Sequence, residues 1–431
     1  MEAVQRTVTA STKTTMNTAT FSWMITPILY IAGLVLIIVG ILIQVGIIPI
    51  NKPTNTNTFQ TQISATPYRE SVAYPVGLLA PNQQYLVNFS PLTGYLAGYI
   101  GPVNGGTFDP NAYLTAAFNA GIRSFVLPIS TYIDNNKTPD SGWPYAGEPA
   151  VVCRDASGTI ISNNGMSISD FVNAMLQTRG VNSYYAAEPI FLFLEEVPGY
   201  VPDHVKQEQL YVKFMSKIAA QLSALDRGAR IIQLDGFGQL GSLVGGEREK
   251  ELLTLIPVQN FFNRVVIFTN FKTRLATKSA YAGMPKSLHE YANFIYKSNT
   301  NTDGNVSANQ SSKSISIDDI SGSQISWVNA TQSSIYIAEP SAPLSIPDSA
   351  LVNNALRQGI QIIPLPFFFH DPAQTKALFD LWKGSSARVK PVSDPNANLF
   401  TRPDPVVPAQ PSQVMNARVS PDAQPGQVVI R

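Results

Sequence analysis

The chain has 431 residues, and 30 basic residues against 29 acidic ones give it a formal net charge of +1. This balance excludes a nucleic-acid-binding protein, which would need a strongly basic face. Charged residues make up only 14% of the chain, against roughly 25% in an ordinary soluble domain, so the surface must be polar mainly through Asn, Ser, Thr and Gln. Apolar residues make up 44%, which is enough for a large core and excludes global disorder.

Residues 21–50 carry no formal charge. Pro27 and Pro49 bracket a stretch that would form about 31 Å of helix at 1.5 Å per residue, close to the thickness of a bilayer core, about 30 Å. The run is too long for a cleaved signal peptide, and no small-residue cleavage site follows it. We predict an N-terminal tail at 1–20 and a single transmembrane helix at 21–50. Positive charges flank both sides equally, so the orientation stays open.

Three polar or proline-rich segments organise the rest of the chain. Residues 51–81 read as a polar stalk. Residues 298–324 are rich in Ser and Asn and predict an exposed insertion. Residues 392–431 are rich in proline and predict an extended tail. The body between stalk and tail is therefore expected at 82–391.

Within the body, a local pattern of helix start, helix end and strand recurs. Asp109 and Pro110 open a helix as N-cap and first helical residue, and Gly121 ends it. The same pattern predicts helices at 348–359 and 371–384. Residues 205–225 have apolar residues at helical spacing.

Continuously apolar runs between or beside these helices predict buried strands at 122–129, 189–195, 264–270 and 360–369. Such strands alternating with amphipathic helices indicate a parallel sheet. The length of the body favours a (β/α)8 barrel over an open sheet. The predicted fold class is therefore α/β, a barrel preceded by one transmembrane helix.

Three segments, LTGYLAG at 92–98, AAFNAGIR at 116–123 and EPIFLFLE at 188–195, occur in the order of a known family. They resemble the His-Asn-Thr-Tyr-Leu-x-Gly box, the helix leading to Gly-x-Arg, and the Pro-x-x-Leu-x-Leu-Glu strand of phosphoinositide-specific phospholipase C. The resemblance covers about 82–391 and implies the catalytic (β/α)8 barrel of that family, with the insertion where the family carries its X–Y linker.

The resemblance also implies two catalytic histidines and a calcium ion held by Asn, Glu and Asp side chains and a later Glu. Of these positions this chain retains only Glu195. The first histidine and the Asn are replaced by Leu92 and Thr93, and the Glu and Asp by Val126 and Pro128. The second histidine is replaced by Cys153, or by Arg154 if the register shifts by one. A lone carboxylate cannot supply the six to eight oxygens that calcium takes. We therefore expect no catalytic residues, no metal and no cofactor, and a degenerate site.

Other residues offer alternatives to this interpretation. His204 and His370 follow strands, at the end of a barrel where active sites form, and a relocated histidine pair would make an atypical active phosphodiesterase. A lone histidine is more often an ordinary hydrogen-bonded residue. Lys272 and Arg274 follow a strand as well and would meet phospholipid head groups, unless they belong to a solvated loop. Glu195 and Glu196 are neighbours on a strand, so only one of them can face the barrel interior.

Three functions therefore compete: a structural or docking protein, a lipid- or phosphoinositide-binding module, and an atypical active phosphodiesterase. The low charge, the polar stalk and the proline-rich tail favour the first. Anchored proteins with a degenerate barrel resemble membrane proteins of large DNA viruses. That resemblance implies a single-pass protein of a virion membrane or a host internal membrane, with coat or capsid-type protein partners and no nucleic-acid partner.

Overall fold

The computed structural model describes most of the body of the chain. The described residues are 75–131, 147–181, 188–226, 257–281, 283–284, 286–296, 312–318, 320, 331–332, 334–339, 342, 344–368, 372–390 and 399–401. The chain divides into two compact units, Met1–Thr54 and Asn55–Arg431, and every described residue belongs to the second. The predicted transmembrane helix and most of the predicted stalk and tail lie outside these residues. None of the helices in the described ranges has the length and apolar character that crossing a bilayer requires.

The described strands are short except at the centre of the sheet. They are β1 (Phe89–Pro91), β2 (Thr93–Gly94), β3 (Tyr99–Ile100), β4 (Thr107–Phe108), β5 (Ser124–Thr131), β6 (Pro149–Val151), β7 (Met166–Ser167), β8 (Ile190–Glu196), β9 (Val265–Thr269), β10 (Phe294–Ile295), β11 (Ser312–Ser316), β12 (Ile335–Glu339), β13 (Pro364–Leu365) and β14 (Ala387–Val389). The described α-helices are α1 (Pro110–Ala120), α2 (Ile168–Val181), α3 (Glu208–Gln221), α4 (Leu288–Tyr291), α5 (Ser349–Arg357) and α6 (Pro372–Asp380).

A run of parallel strands forms the centre of the fold. Hydrogen-bonded neighbours follow the order β10-β9-β8-β5-β2-β13. A parallel bridge between Ile337 and Ile362 joins β12 to the residues just before β13, and β11 pairs in parallel with β12. Apart from the step from β2 to β13, strands that are neighbours in the sheet are successive parallel strands of the chain, the arrangement that repeated strand–helix units produce.

The two ends of this run are β10 and β11, which follow one another in the chain. Within the described residues no strand pairing joins them. The prediction of a mixed α/β fold with a parallel sheet is confirmed, whereas closure of the sheet into a barrel stays a prediction.

The two faces of the sheet pack into separate clusters. We call the face that the helices cover the outer face and the opposite one the inner face. The outer face includes Leu127, Leu192 and Ile267 and packs with the buried sides of α1, α2 and α3. The inner face is rich in aromatic side chains that stack across neighbouring strands: the rings of Phe193 and Phe268 lie 4.5 Å apart and those of Phe268 and Phe294 4.7 Å apart. Residues alternate between the faces because successive side chains of a strand point in opposite directions.

The helix starts and ends follow the predicted pattern. The Asp109 side chain accepts a hydrogen bond from the amide of Ala112 at the start of α1, and Gly121 ends the helix with a φ of 90°. At α5 the Asp348 side chain accepts from the amide of Ala350. Each cap satisfies an amide that has no partner within its own helix. The predicted helix within 205–225 is α3.

Three sequence-based boundaries need correction. Residues 312–316 of the predicted exposed insertion form β11, and Ile317 and Ile320 are buried, because apolar residues alternate with Ser through this Ser-rich stretch. The predicted strand at 360–369 is reduced to β13, since Pro364 and Pro366 lack the amide that a strand ladder needs. The helix predicted to reach Gly384 ends at Asp380.

Candidate functional site

The strands of a parallel sheet end at one edge, which we call the carboxyl edge; the opposite edge is the amino edge. A cleft of about 380 Å³ opens at the carboxyl edge. We call it the edge cleft. It is lined by the last part of β5 and by residues that follow β2, β6, β8 and β12: Tyr95, Leu96, Pro128, Ser130, Val152, Cys153, Arg154, Asp155, Ala156, Gly158, Val197, Tyr200, Ala342 and Leu344. Loops at this edge form the active sites of (β/α) barrels.

Three of the positions that the resemblance assigned to catalysis belong to the core. Leu92 packs in the cluster on the outer face of the sheet, with 1% of its surface exposed. Thr93 is fully buried, and its hydroxyl donates to the carbonyl of Pro91 at 2.9 Å. Val126 lies in the cluster on the inner face. None of the three can reach a molecule at the carboxyl edge.

Pro128 and Cys153 line the edge cleft. Burial raises the pKa of the Cys153 thiol to about 12, so the thiol stays protonated at neutral pH. A protonated thiol is a poor nucleophile and a poor metal ligand. The Cys153 position therefore contributes an apolar wall to the cleft.

Glu195 is the last residue of β8 that faces the inner side, opposite Pro128 of the neighbouring strand. Burial, together with the nearby charge of Glu339, raises the pKa of Glu195 to about 8. Burial likewise raises the pKa of Tyr95 and of Tyr296, with Glu195 as the next cause for both. Two carboxyl groups and two phenols thus share a weakly solvated space at the end of the sheet.

Glu339 is a member of this group that sequence reasoning missed. Glu339 is the last residue of β12 and Glu195 the next-to-last residue of β8, and in both strands the glutamate follows a run of aliphatic or aromatic residues. That repeated ending was the available signal. No trio of His, Cys, Asp and Glu suited to a metal ion occurs in the described ranges. Two carboxyl groups, one of them with a raised pKa, do not fit the calcium ion that the fold resemblance implies.

Glu196 points to the outer face, as strand alternation requires. It accepts a hydrogen bond from the Tyr211 hydroxyl at 2.6 Å, and that hydroxyl accepts from the amide of Lys272 at 2.9 Å. Burial raises the pKa of Glu196, while this hydrogen bond and the nearby His204 oppose the rise. The rings of His204 and Tyr211 lie 5.8 Å apart. His204 therefore lies close to Glu196.

The other candidates take separate places. His370 lies outside the described residues, so the predicted relocated pair stays a prediction. Arg274 is exposed on a 3₁₀ turn, Thr273–Thr277, and Lys272 precedes that turn. The Nζ atom of the neighbouring Lys278 lies 2.6 Å from Oε2 of Glu208.

Arg154 is a second residue that sequence reasoning did not assign to a site of its own. Its guanidinium lies 4.0 Å from the centre of the Tyr200 ring. Nη1 donates to the carbonyl of Gly158 at 2.7 Å and Nη2 to that of Thr131 at 3.3 Å. These contacts fix a positive charge in the wall of the edge cleft.

No protein-family model matches the sequence, and no curated protein matches it. Solved structures similar to the chain include phospholipases C. The structure of L. pealei PLC21 is 13% identical with a TM-score of 0.46, and that of S. officinalis PLC21 is 14% identical with a TM-score of 0.45; each match covers 72% of this chain and 38% of the other. A calcium-dependent phosphoinositol-specific phospholipase C from Pseudomonas sp. is 12% identical with a TM-score of 0.43, over 74% of this chain and 100% of the other.

Proposed function

We propose that this chain is a membrane-anchored docking protein whose phospholipase C-like barrel has lost its catalytic machinery. The observation that carries the proposal is the burial of Leu92, Thr93 and Val126 at positions where the sequence resemblance requires a general base and metal ligands. A general base must come within hydrogen-bonding distance of the proton that it removes. Buried apolar side chains, and a threonine hydroxyl already bonded to a backbone carbonyl, cannot do this.

The carboxyl groups at the carboxyl edge support the same proposal. The raised pKa of Glu195 favours its neutral form near pH 7, and a neutral carboxyl is a weak ligand for a divalent cation. Glu196 has a separate role, because it holds the Tyr211 hydroxyl on the outer face.

Closure of the sheet between β10 and β11 is part of this proposal. Among the described strands of the parallel run, only β10 and β11 lack a second parallel neighbour. A disulfide scan in a Cys153→Ser background would pair Ile295→Cys with Ser312→Cys, Ser314→Cys or Ser316→Cys. Oxidative cross-linking of one pair is expected; the absence of cross-linking in all of them would indicate an open sheet.

The catalytic part of the proposal is tested with the full-length chain in lipid nanodiscs. We expect no hydrolysis of phosphatidylinositol in the presence of calcium. The matched variants are Glu195→Gln and His370→Ala. Hydrolysis that either substitution abolishes would overturn the proposal in favour of an atypical active phosphodiesterase.

The docking part is tested by cross-linking mass spectrometry on native membranes or particles. Abundant cross-links from the body or the tail to a coat or capsid-type protein are the expected result. A body that cross-links only to itself would contradict a docking role.

A lipid-binding module is the second candidate, and one observation favours it. Val205 and Leu210 are 76% and 51% exposed near the carboxyl edge, with Lys206 beside them. Apolar residues next to a basic one suit a membrane interface. Saturable binding to phosphoinositide liposomes that a Lys272/Arg274 double substitution abolishes, without any protein cross-links, would move the assignment to this candidate.

A further inference from the structure

The wall of the edge cleft is mainly apolar. Tyr95, Leu96, Val152 and Leu344 contribute aromatic and aliphatic surface, and the Cys153 thiol carries no charge. The volume of about 380 Å³ lies within the usual range for small-molecule sites, about 300–1,000 Å³. An apolar wall of this size favours a ligand with an apolar body.

The wall contains a buried serine hydroxyl that no described residue pairs with. Ser130 is 1% exposed, and no described residue forms a hydrogen bond with its hydroxyl. Strand alternation places it on the inner face with Val126 and Pro128, and it lines the edge cleft. Leaving a buried hydroxyl unpaired costs stability. A hydrogen-bonding group of a ligand in the cleft would remove that cost.

Arg154 brings a positive charge to the same place. Its Nη2 atom donates to the carbonyl of Thr131, the residue that follows Ser130. The stacking on Tyr200 and the bond to Gly158 hold the guanidinium in position before any ligand arrives. A guanidinium held in place and a hydroxyl without a described partner thus lie in the same wall, and together they match the two oxygens of a planar carboxylate.

Negative charges near the cleft limit how much charge a ligand can carry. Glu195, opposite Pro128 in the strand register, is mostly neutral near pH 7 and adds little charge. The charge of Glu339, however, acts on Tyr95, which lines the cleft. Asp155 is itself a lining residue of the cleft. A doubly charged phosphate would be repelled by these groups more strongly than a singly charged carboxylate.

We propose that the edge cleft is a binding site for a monocarboxylate with an apolar body, whose carboxylate is held by Arg154 and Ser130. The apolar part of the ligand packs against Tyr95, Leu96, Val152 and Leu344. This site is independent of the docking role, because it neither requires nor excludes a protein partner.

The test uses the full-length chain in phosphatidylcholine nanodiscs, with equilibrium dialysis of octanoate and subtraction of empty discs. Octanoate is expected to bind saturably and more tightly than octyl phosphate, and octylammonium is expected not to bind. Shorter carboxylates should bind more weakly, by up to about four-fold for each methylene group removed. Octyl phosphate or octylammonium binding more tightly than octanoate would overturn the carboxylate assignment.

Variants assign the binding to the two anchors. Ser130→Ala should weaken octanoate binding about ten-fold, because it removes one hydrogen bond to a charged group. Arg154→Lys should weaken it by a similar factor, since it keeps the charge and removes the planar fork. Ser124→Ala is the matched control: Ser124 is a buried serine of the same strand, equally without a described partner, and it does not line the cleft. Equal affinity in all three variants, or no saturable octanoate binding by the unmodified chain, would refute the proposal.

Discussion

Buried polar groups are hydrogen-bonded to different extents at the two edges of the sheet. At the amino edge, Asn88 uses its side-chain amide fully: Nδ2 donates to the carbonyls of Gln83 and Phe400, each at 2.7 Å, and Oδ1 accepts from the amide of Phe400 at 2.8 Å. Gln361 donates to three backbone carbonyls and accepts from one amide. Arg123 forms a buried ion pair with Glu188.

At the carboxyl edge buried polar groups are less completely paired, although the amino edge also holds one buried hydroxyl without a described partner, that of Ser124. The Ser130 hydroxyl has no partner among the described residues. Glu195 receives no hydrogen bond from them, and burial holds its pKa high. Polar groups that satisfy one another stabilise a fold, whereas partly satisfied groups reduce stability and are retained where a ligand uses them. The paired groups of the amino edge therefore stabilise the fold, and the carboxyl edge is where we propose that a ligand binds.

The largest effect is expected from breaking the buried ion pair at the amino edge. Arg123→Met should lower the free energy of unfolding by about 3–5 kcal/mol, because it leaves Glu188 charged and buried. Urea unfolding of the full-length chain, followed by near-ultraviolet circular dichroism, measures this. The double substitution Arg123→Met/Glu188→Met should recover most of the loss. A loss of less than about 1 kcal/mol in the free energy of unfolding on Arg123→Met alone would contradict the difference between the two edges.

A neutral group of the amino edge gives the next effect. Gln361→Leu keeps a similar side-chain volume but leaves several buried backbone groups without a hydrogen-bond partner. The substitution should therefore lower the free energy of unfolding by about 2–4 kcal/mol. Gln259→Leu, at an exposed amide, serves as the control and should change stability by less than about 0.5 kcal/mol. Similar losses in both variants would mean that the Gln361 hydrogen bonds contribute little.

Glu195 should make stability depend on pH in the direction opposite to an ordinary paired carboxylate. Its folded pKa lies above its unfolded one, so the folded state binds more protons and stability falls as the pH rises from about 4.5 to 8. The change in the free energy of unfolding that Glu195→Gln causes should therefore be more stabilising at pH 8.5 than at pH 5.5. With allowance for the partial exposure of Glu195, the difference should be roughly 1–2 kcal/mol. Glu148→Gln, which affects a surface pair with Lys217, is the control and should show no such slope.

The smallest effect, and the most diagnostic for the carboxyl edge, is expected at Ser130. Ser130→Ala removes a buried hydroxyl that has no described partner, so stability should stay unchanged or rise by up to about 1 kcal/mol. The measurement is a comparison of thermal unfolding without ligand. A loss of more than about 1 kcal/mol would show that the hydroxyl already has a structural partner.

The regular elements could be predicted because their signals are local. The Asp109 cap, the glycine after α1 and the apolar runs of β8 and β9 act within a few residues of one another. The strand β11 was missed because its neighbours in sequence are mostly polar, and only pairing with β12 shows its role.

The candidate site was harder to predict because it joins distant parts of the chain. Glu195 and Glu339 meet only when β8 and β12 enter one sheet, and Arg154 meets Thr131 only through the folded loop after β6. Whether the Ser130 hydroxyl has a hydrogen-bond partner depends on all the residues that surround it in the fold. No sequence pattern predicts this. The positions Leu92 and Val126 were named from resemblance, and their burial follows from their place on the strands.

The contact of Phe400 with the amino edge has a mechanical consequence. The ring of Tyr85 lies 5.5 Å from that of Phe400, and β1 pairs with β14 in antiparallel register. Pulling Phe400 away from the start of this unit would therefore load the Asn88–Phe400 hydrogen bonds and the β1–β14 pair. None of the residues in these contacts lines the edge cleft, so they can part without breaking a contact of its wall.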